Sequence, residues 1–211
     1  MAVISPTITE STPEAYKTRI DSLEQFASRI HIDLGDAEFS PTKLIDLDKI
    51  WWPKSLTVDI HVMYQRPMEY LDTMIKLQPY QIVIPAEVGV DLTAYAQKLH
   101  QHGIRAGVAL LVDTPVSQVA PFIQDLDHVL VFSGNLGYHG GKADLALLSK
   151  VQELKQLKPE LEVGWDGGVN DEVAKALAEG GVDELNTGGF IAHAKDPKAA
   201  YEKLQAEVGA A

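Results

Sequence analysis

Short apolar runs alternate with amphipathic stretches along the whole of this 211-residue chain. Eight runs read as strands: Val3 to Ile8, Arg29 to Leu34, Leu56 to Met63, Gln81 to Glu87, Arg105 to Val112, His128 to Phe132, Leu161 to Trp165 and Glu184 to Thr187. Several are almost continuously apolar, as in a parallel sheet covered on both faces. Helix signals fall between them. Thr12-Pro13, Thr114-Pro115 and Asp196-Pro197 each pair an N-cap residue with proline at the first helical position, and Pro67 can open another helix. Asn170 can cap a helix whose first turn carries Asp171 and Glu172. Leu148, Val151, Leu154 and Leu157 recur at helical spacing and predict the buried face of the sixth helix. The stretch after the second strand, through Trp51 and Trp52, is the least clear helix.

Eight strands alternating with eight helices leave two architectures, an open doubly wound sheet and a closed α/β barrel. The count and the length favour a single (β/α)8 TIM barrel, one domain spanning residues 1–211. No Gly-x-Gly-x-x-Gly fingerprint or phosphate-binding Gly-Lys-Ser/Thr loop argues for the open sheet. The formal net charge of −12 comes without a basic cluster, so nucleic acid and anionic membrane surfaces are poor partners. The absence of cysteine removes disulfides, thiol catalysis and Cys-rich zinc sites, and fits a cytoplasmic protein. No signal peptide is expected at the N-terminus, and no apolar stretch is long enough to span a bilayer.

In a barrel of this kind the chemistry sits at the C-terminal ends of the strands. Here those ends carry His31-Ile32-Asp33-Leu34-Gly35-Asp36, Asp59-Ile60-His61-Val62-Met63 and Asp166-Gly167-Gly168. His31 and Asp33 share a strand face, as do Asp59 and His61. Imidazole nitrogen and carboxylate oxygen together suit Zn²⁺, Fe²⁺ or Mn²⁺. A lone histidine at a strand end is better read as a hydrogen-bonded core or surface residue. Two histidines and two aspartates on three strand ends point instead to a metal site. Asp36 and Asp59 are the weaker candidates, read as supports for the loop and the ligands.

Glycines mark the late loops: Gly137, Gly140 and Gly141 after the sixth strand, Gly167 and Gly168 after the seventh, Gly188 and Gly189 after the eighth. Such loops bind phosphate through bare backbone N–H groups, although glycines also simply make tight turns. No lysine stands at a strand end, which removes Schiff-base and pyridoxal-phosphate chemistry. Trp51-Trp52-Pro53 offers an apolar patch on which a homo-oligomer could form; packing of a short second helix is the preferred reading.

Over nearly its whole length the chain resembles the ribulose-phosphate 3-epimerase family. The family's His-x-Asp-x-Met-Asp-Gly-x-Phe-x-Pro stands here as His31-Ile32-Asp33-Leu34-Gly35-Asp36-Ala37-Glu38-Phe39-Ser40-Pro41. Its Asp-x-His-Leu-Met appears as Asp59-Ile60-His61-Val62-Met63, and its Val-Asp-Gly-Gly-Val-Asn as Trp165-Asp166-Gly167-Gly168-Val169-Asn170. Its Ala-Gly-Val-x-Leu and Thr-Pro appear as Ala106-Gly107-Val108-Ala109-Leu110 and Thr114-Pro115. Departures are Gly35 for Met, Ala37 for Gly, Thr7 for a usual Ser, Pro85 for a common His, and Gly188-Gly189 for Gly-Ser. The loop Asn135-Leu136-Gly137-Tyr138-His139-Gly140-Gly141 replaces Asn-Pro-Gly-Phe-Gly-Gly-Gln.

The resemblance implies a barrel of the ribulose-phosphate-binding type. It implies that His31, Asp33, His61 and Asp166 bind one divalent metal ion, and that Asp33 and Asp166 are acid/base groups on opposite faces of the substrate. It places Thr7, Met63 and the late-loop glycines around a phosphorylated ketose. The implied reaction is metal-dependent interconversion of D-ribulose 5-phosphate and D-xylulose 5-phosphate through an enediolate. Epimerisation of a ketohexose 6-phosphate and non-catalytic binding of a sugar phosphate are the alternatives; paired carboxylates argue against the second.

Overall fold

The computed structural model describes residues 2–134, 136–138 and 141–209. Its parallel strands close into a barrel in chain order: β1 Val3–Ile8, β2 Arg29–Gly35, β3 Thr57–Met63, β4 Gln81–Pro85, β5 Arg105–Leu110, β6 His128–Phe132, β7 Glu162–Asp166 and β8 Glu184–Thr187. Every predicted strand is present, with ends moved by at most two residues. Alternation explains why they read as apolar runs. On β2, Ile30, Ile32 and Leu34 pack into the shell against the helices, while Arg29, His31 and Asp33 alternate with them.

The helices are α1 Pro13–Leu23, α2 Leu71–Leu77, α3 Leu92–His100, α4 Leu148–Leu157, α5 Ala174–Glu179, α6 Gly189–Ala192 and α7 Pro197–Gly209. Local chemistry starts several of them. Thr12 Oγ1 accepts from Ala15 N–H at 3.2 Å, Asp91 from Ala94 N–H at 3.0 Å and Asp196 from Ala199 N–H at 3.0 Å.

The eight-helix expectation fails in two connections. After β5 there are only 3₁₀ turns, Val116–Gln118 and Ala120–Phe122. A helix opened by Pro115 would carry Pro121 in its interior, where the ring clashes with an earlier carbonyl and a hydrogen bond is lost. Thr114 therefore does not cap; its hydroxyl donates to Glu87. After β2 the chain forms a strap with one 3₁₀ turn, Leu47–Lys49, pinned by buried Leu44, Ile45, Leu47 and Ile50. Trp51 and Trp52 thus pack from a strap and not from a helix. The Tyr16 hydroxyl donates to the Trp51 carbonyl at 2.7 Å, and the Trp51 ring meets Tyr16 edge-on while remaining exposed. On α4, Val151 and Leu154 are fully buried, but Leu157 at its C-terminal end is exposed, so the buried face is shorter than the spacing predicts.

The barrel interior is layered. A small apolar plug of Val83, Ala109 and Leu130 is separate from the outer core. A charged layer belongs to the other, N-terminal end of the strands. There Arg29 donates to Asp59 at 2.7 Å, Glu162 at 2.6 Å and Glu184 at 3.2 Å, and Arg105 pairs with Glu162. Buried charges need partners, and this guanidinium supplies three carboxylates at once.

Candidate active site

At the C-terminal ends of β2, β3 and β7, His31, Asp33, His61 and Asp166 each present a ligand atom, all within 4.8 Å of one another. Parallel register brings them together: Asp33 pairs with His61 across β2 and β3, and His31 lies two residues back on the same face. Asp33 is the hub. Its Oδ1 lies 3.2 Å from His61 Nδ1 and 3.4 Å from His31 Nε2, while Oδ2 accepts from the Thr9 hydroxyl at 2.8 Å. His31 is fully buried, yet neither ring nitrogen makes a hydrogen bond of good geometry among the described residues. A buried imidazole left in this state, beside two carboxylates and a second imidazole, fits a divalent transition ion.

The electrostatics divide the carboxylates. Burial raises the proton affinity of Asp33, but hydrogen bonds and charge from His31 and His61 prevail, holding it well below the usual carboxylate range. Burial and then the charge of Asp33 push Asp166 up to about 7. His31 is depressed by burial but lifted by its close approach to Asp33 and by the charges of Asp33, Asp166 and Glu184, reaching about 9. Burial lowers His61. Asp33 is thus the carboxylate that stays ionised, and Asp166 the one that holds a proton more readily.

Asp33 and Asp166 open onto a cavity of about 310 Å³. Thr7 and Met63 line it beside Asp33 and Asp166. So do Gly137, Gly141, Gly167, Gly168, Gly188 and Gly189; Gly140, like Asn135 and His139, lies outside the described residues. The two central glycines also serve close packing. A Cβ on Gly167 would lie 2.1 Å from Gly134 N, and one on Gly168 2.0 Å from Ala143 N, with φ of +108° and +71°. The loop after β7 is therefore held backbone to backbone against the loop after β6.

The weaker candidates divide. Asp36 ties loops together, accepting from the N–H groups of Glu38, Phe39 and Gln65 at 2.7–2.8 Å. Asp59 is engaged by Arg29 in the charged layer and makes no hydrogen bond to His31 or His61. Two further groups, His31-Asp59-Glu184 and His128-Glu162-Glu184, have ligand atoms close together, but the Arg29 guanidinium already holds their carboxylates. Thr9, Phe132, Asn186 and His193 also line the cavity and were not singled out from sequence. Period-two counting reaches two of them: Thr9 follows Thr7 by two residues, and Asn186 precedes Gly188 by two.

The sequence profile of the Ribulose-phosphate 3 epimerase family matches residues 3–192. The chain belongs to this family. It is an isomerase of the epimerase kind. A ribulose-phosphate 3-epimerase of Bacillus subtilis (strain 168) is 29% identical, covering 97% of this chain and 99% of that protein. One from Helicobacter pylori (strain J99 / ATCC 700824) is 30% identical, covering 85% and 86%. Among solved structures, 3-hexulose-6-phosphate synthase from Salmonella typhimurium superposes with a TM-score of 0.74 at 15% identity, covering 99% of both chains, a likeness of fold alone.

Proposed function

We propose that this epimerase-family chain interconverts D-ribulose 5-phosphate and D-xylulose 5-phosphate, with Asp33 and Asp166 moving the proton. The observation that carries this reading is the convergence of His31, Asp33, His61 and Asp166, with ligand atoms within 4.8 Å of one another and both carboxylates lining one cavity. His31, Asp33, His61 and Asp166 would hold one divalent ion, Zn²⁺, Fe²⁺ or Mn²⁺. Bound there, it would supply Lewis-acid stabilisation of the negative charge that develops on the ketose oxygens.

In one direction ionised Asp33 takes the proton from the carbon next to the ketone. The C–H electron pair moves into an enediolate. Protonated Asp166 then returns a proton to the opposite face, and the roles reverse for the other epimer. A free aspartate, with a pKa of about 3.9, is a weak base, and the setting of Asp33 makes it weaker still, so proton removal depends on a stabilised carbanion. Thr9, bonded to Asp33 Oδ2, orients the base. The glycine backbone of the late loops would take the phosphate, and Thr7 and Met63 the carbon chain.

The test is exchange of the substrate's α-proton with deuterated water, followed by NMR across ketopentose and ketohexose phosphates. The chain is assayed stripped of metal and reloaded with Zn²⁺, Fe²⁺ or Mn²⁺. The expected result is metal-dependent exchange with ribulose 5-phosphate as the preferred substrate. Exchange indifferent to metal, or confined to a ketohexose phosphate, would contradict it.

A further inference from the structure

Asn186 is out of place for a residue of a barrel wall. It lies on β8, in register with Asp166 of β7 on one side and Ser5 of β1 on the other. It is 1% exposed and lines the cavity. Neither its amide oxygen nor its amide nitrogen has a hydrogen-bond partner among the described residues. Thr7, on the neighbouring strand β1, also lines the cavity with a buried hydroxyl that has no partner among those residues.

A buried amide left without partners weakens the fold, whereas an apolar side chain of the same shape does not. Folding therefore does not account for Asn186, and a ligand group does. That group must suit a neutral amide, which offers two N–H donors and a carbonyl acceptor. A hydroxyl, which both donates and accepts, fits it. A phosphate dianion cannot donate and would leave the amide oxygen without a partner. Being uncharged, Asn186 can sit beside Asp166 without adding another charge to that carboxylate's surroundings. We infer that Asn186 is a specificity-determining residue that hydrogen-bonds a hydroxyl near the reacting carbon of a polyhydroxylated ketose phosphate, the one next to the ketone or the one next to the reacting carbon. This rests on the epimerase reading above and adds to it the part of the substrate that is read.

Asn186→Leu removes the amide and keeps the shape. Four measurements go together: thermal stability without ligand, and kcat/KM for ribulose 5-phosphate and for its 1-deoxy and 4-deoxy analogues. The variant should be as stable as the parent or more so, yet lose roughly 10- to 100-fold in kcat/KM on the full substrate. The parent should lose a similar factor on one of the deoxy analogues. On that analogue the variant should lose nothing further, because the partner is already gone. Asn186→Ser, which retains a donor and an acceptor, should recover part of the rate. Losses that multiply for both analogues would overturn the assignment, as would unchanged kcat/KM in Asn186→Leu. A marked fall in stability would mean that the amide serves the fold, and would overturn it too. Equal rates of the unaltered chain on all three substrates would likewise overturn it. A parent chain that exchanges no ketose phosphate at all would instead sink the epimerase reading, and this assignment with it.

Discussion

Replacing Arg29 by methionine tests whether the charged layer holds the barrel together. Methionine keeps the length of the stem and removes the guanidinium. Three carboxylates then lose a partner: Asp59, previously at 2.7 Å, Glu162 at 2.6 Å and Glu184 at 3.2 Å. Glu162 retains Arg105, but Asp59 and Glu184 are fully buried. Removing one side of a buried ion pair costs about 3–5 kcal/mol, because the charge left behind is uncompensated; beside Glu184 there remains the His128 imidazole, with Nε2 at 3.2 Å. The upper end is held down by Asp59, whose proton affinity burial and Glu184 already raise, so that it can neutralise itself by taking a proton. At about 2–4 °C per kcal/mol for a chain of this size, Tm should fall by roughly 6–20 °C. Urea unfolding at pH 7.5 measures the free energy. The deficit should narrow towards acid pH, as the stranded carboxylates are protonated. Adding Asp59→Val and Glu184→Met to the same chain should restore most of the loss. A cost below about 1 kcal/mol at neutral pH, or no recovery in the triple variant, would refute the reasoning.

Thr9→Val should lower kcat roughly 5- to 50-fold with metal content unchanged, since it frees Asp33 Oδ2 but removes no ligand; Thr9→Ser should recover most of the rate, and an unaltered kcat would show that the 2.8 Å bond does not orient the base. His128 is pushed down to about 4 by burial, against the pull of Glu162 and Asp59. An unfolded histidine titrates near 6.5, so as pH falls the unfolded chain takes up the proton first; stability is kept above about pH 6.5 and lost down to about pH 4, roughly 3 kcal/mol in all. His128→Leu should lack this component, so urea unfolding at pH 7.5 and 4.5 should show a smaller acid loss than in the parent, and parallel losses would refute the assignment.

What was legible in the chain follows from how far each signal reaches. The strands are short, buried on both faces and bounded by local capping chemistry, so Val3–Ile8 or His128–Phe132 can be read from a few residues. His31, Asp33, His61 and Asp166 are legible because strand ends in a barrel converge by construction. The connection after β5 misled because Thr114-Pro115 imitates a helix start while Pro121, six residues on, forbids the helix. The Arg29 layer draws on β2, β3, β7 and β8, and no local pattern reports that those carboxylates meet. Asn186 could be placed on the inner face by counting from Gly188, but its lack of partners emerges only when the whole wall is assembled.

The central claim is that two carboxylates of one cavity pass a proton between opposite faces of a ketose phosphate. The direct measurement is α-proton exchange with deuterated water in Asp33→Asn and Asp166→Asn, with metal content determined on the same samples. Each epimer presents its proton to only one of the two groups, and loss of a general base costs about 10²–10⁴-fold. Metal-loaded Asp33→Asn should therefore exchange the proton of one epimer and not the other, and Asp166→Asn should show the reverse preference. Exchange of both epimers at the parent rate by both metal-loaded variants would contradict the account and assign the proton transfer to another group.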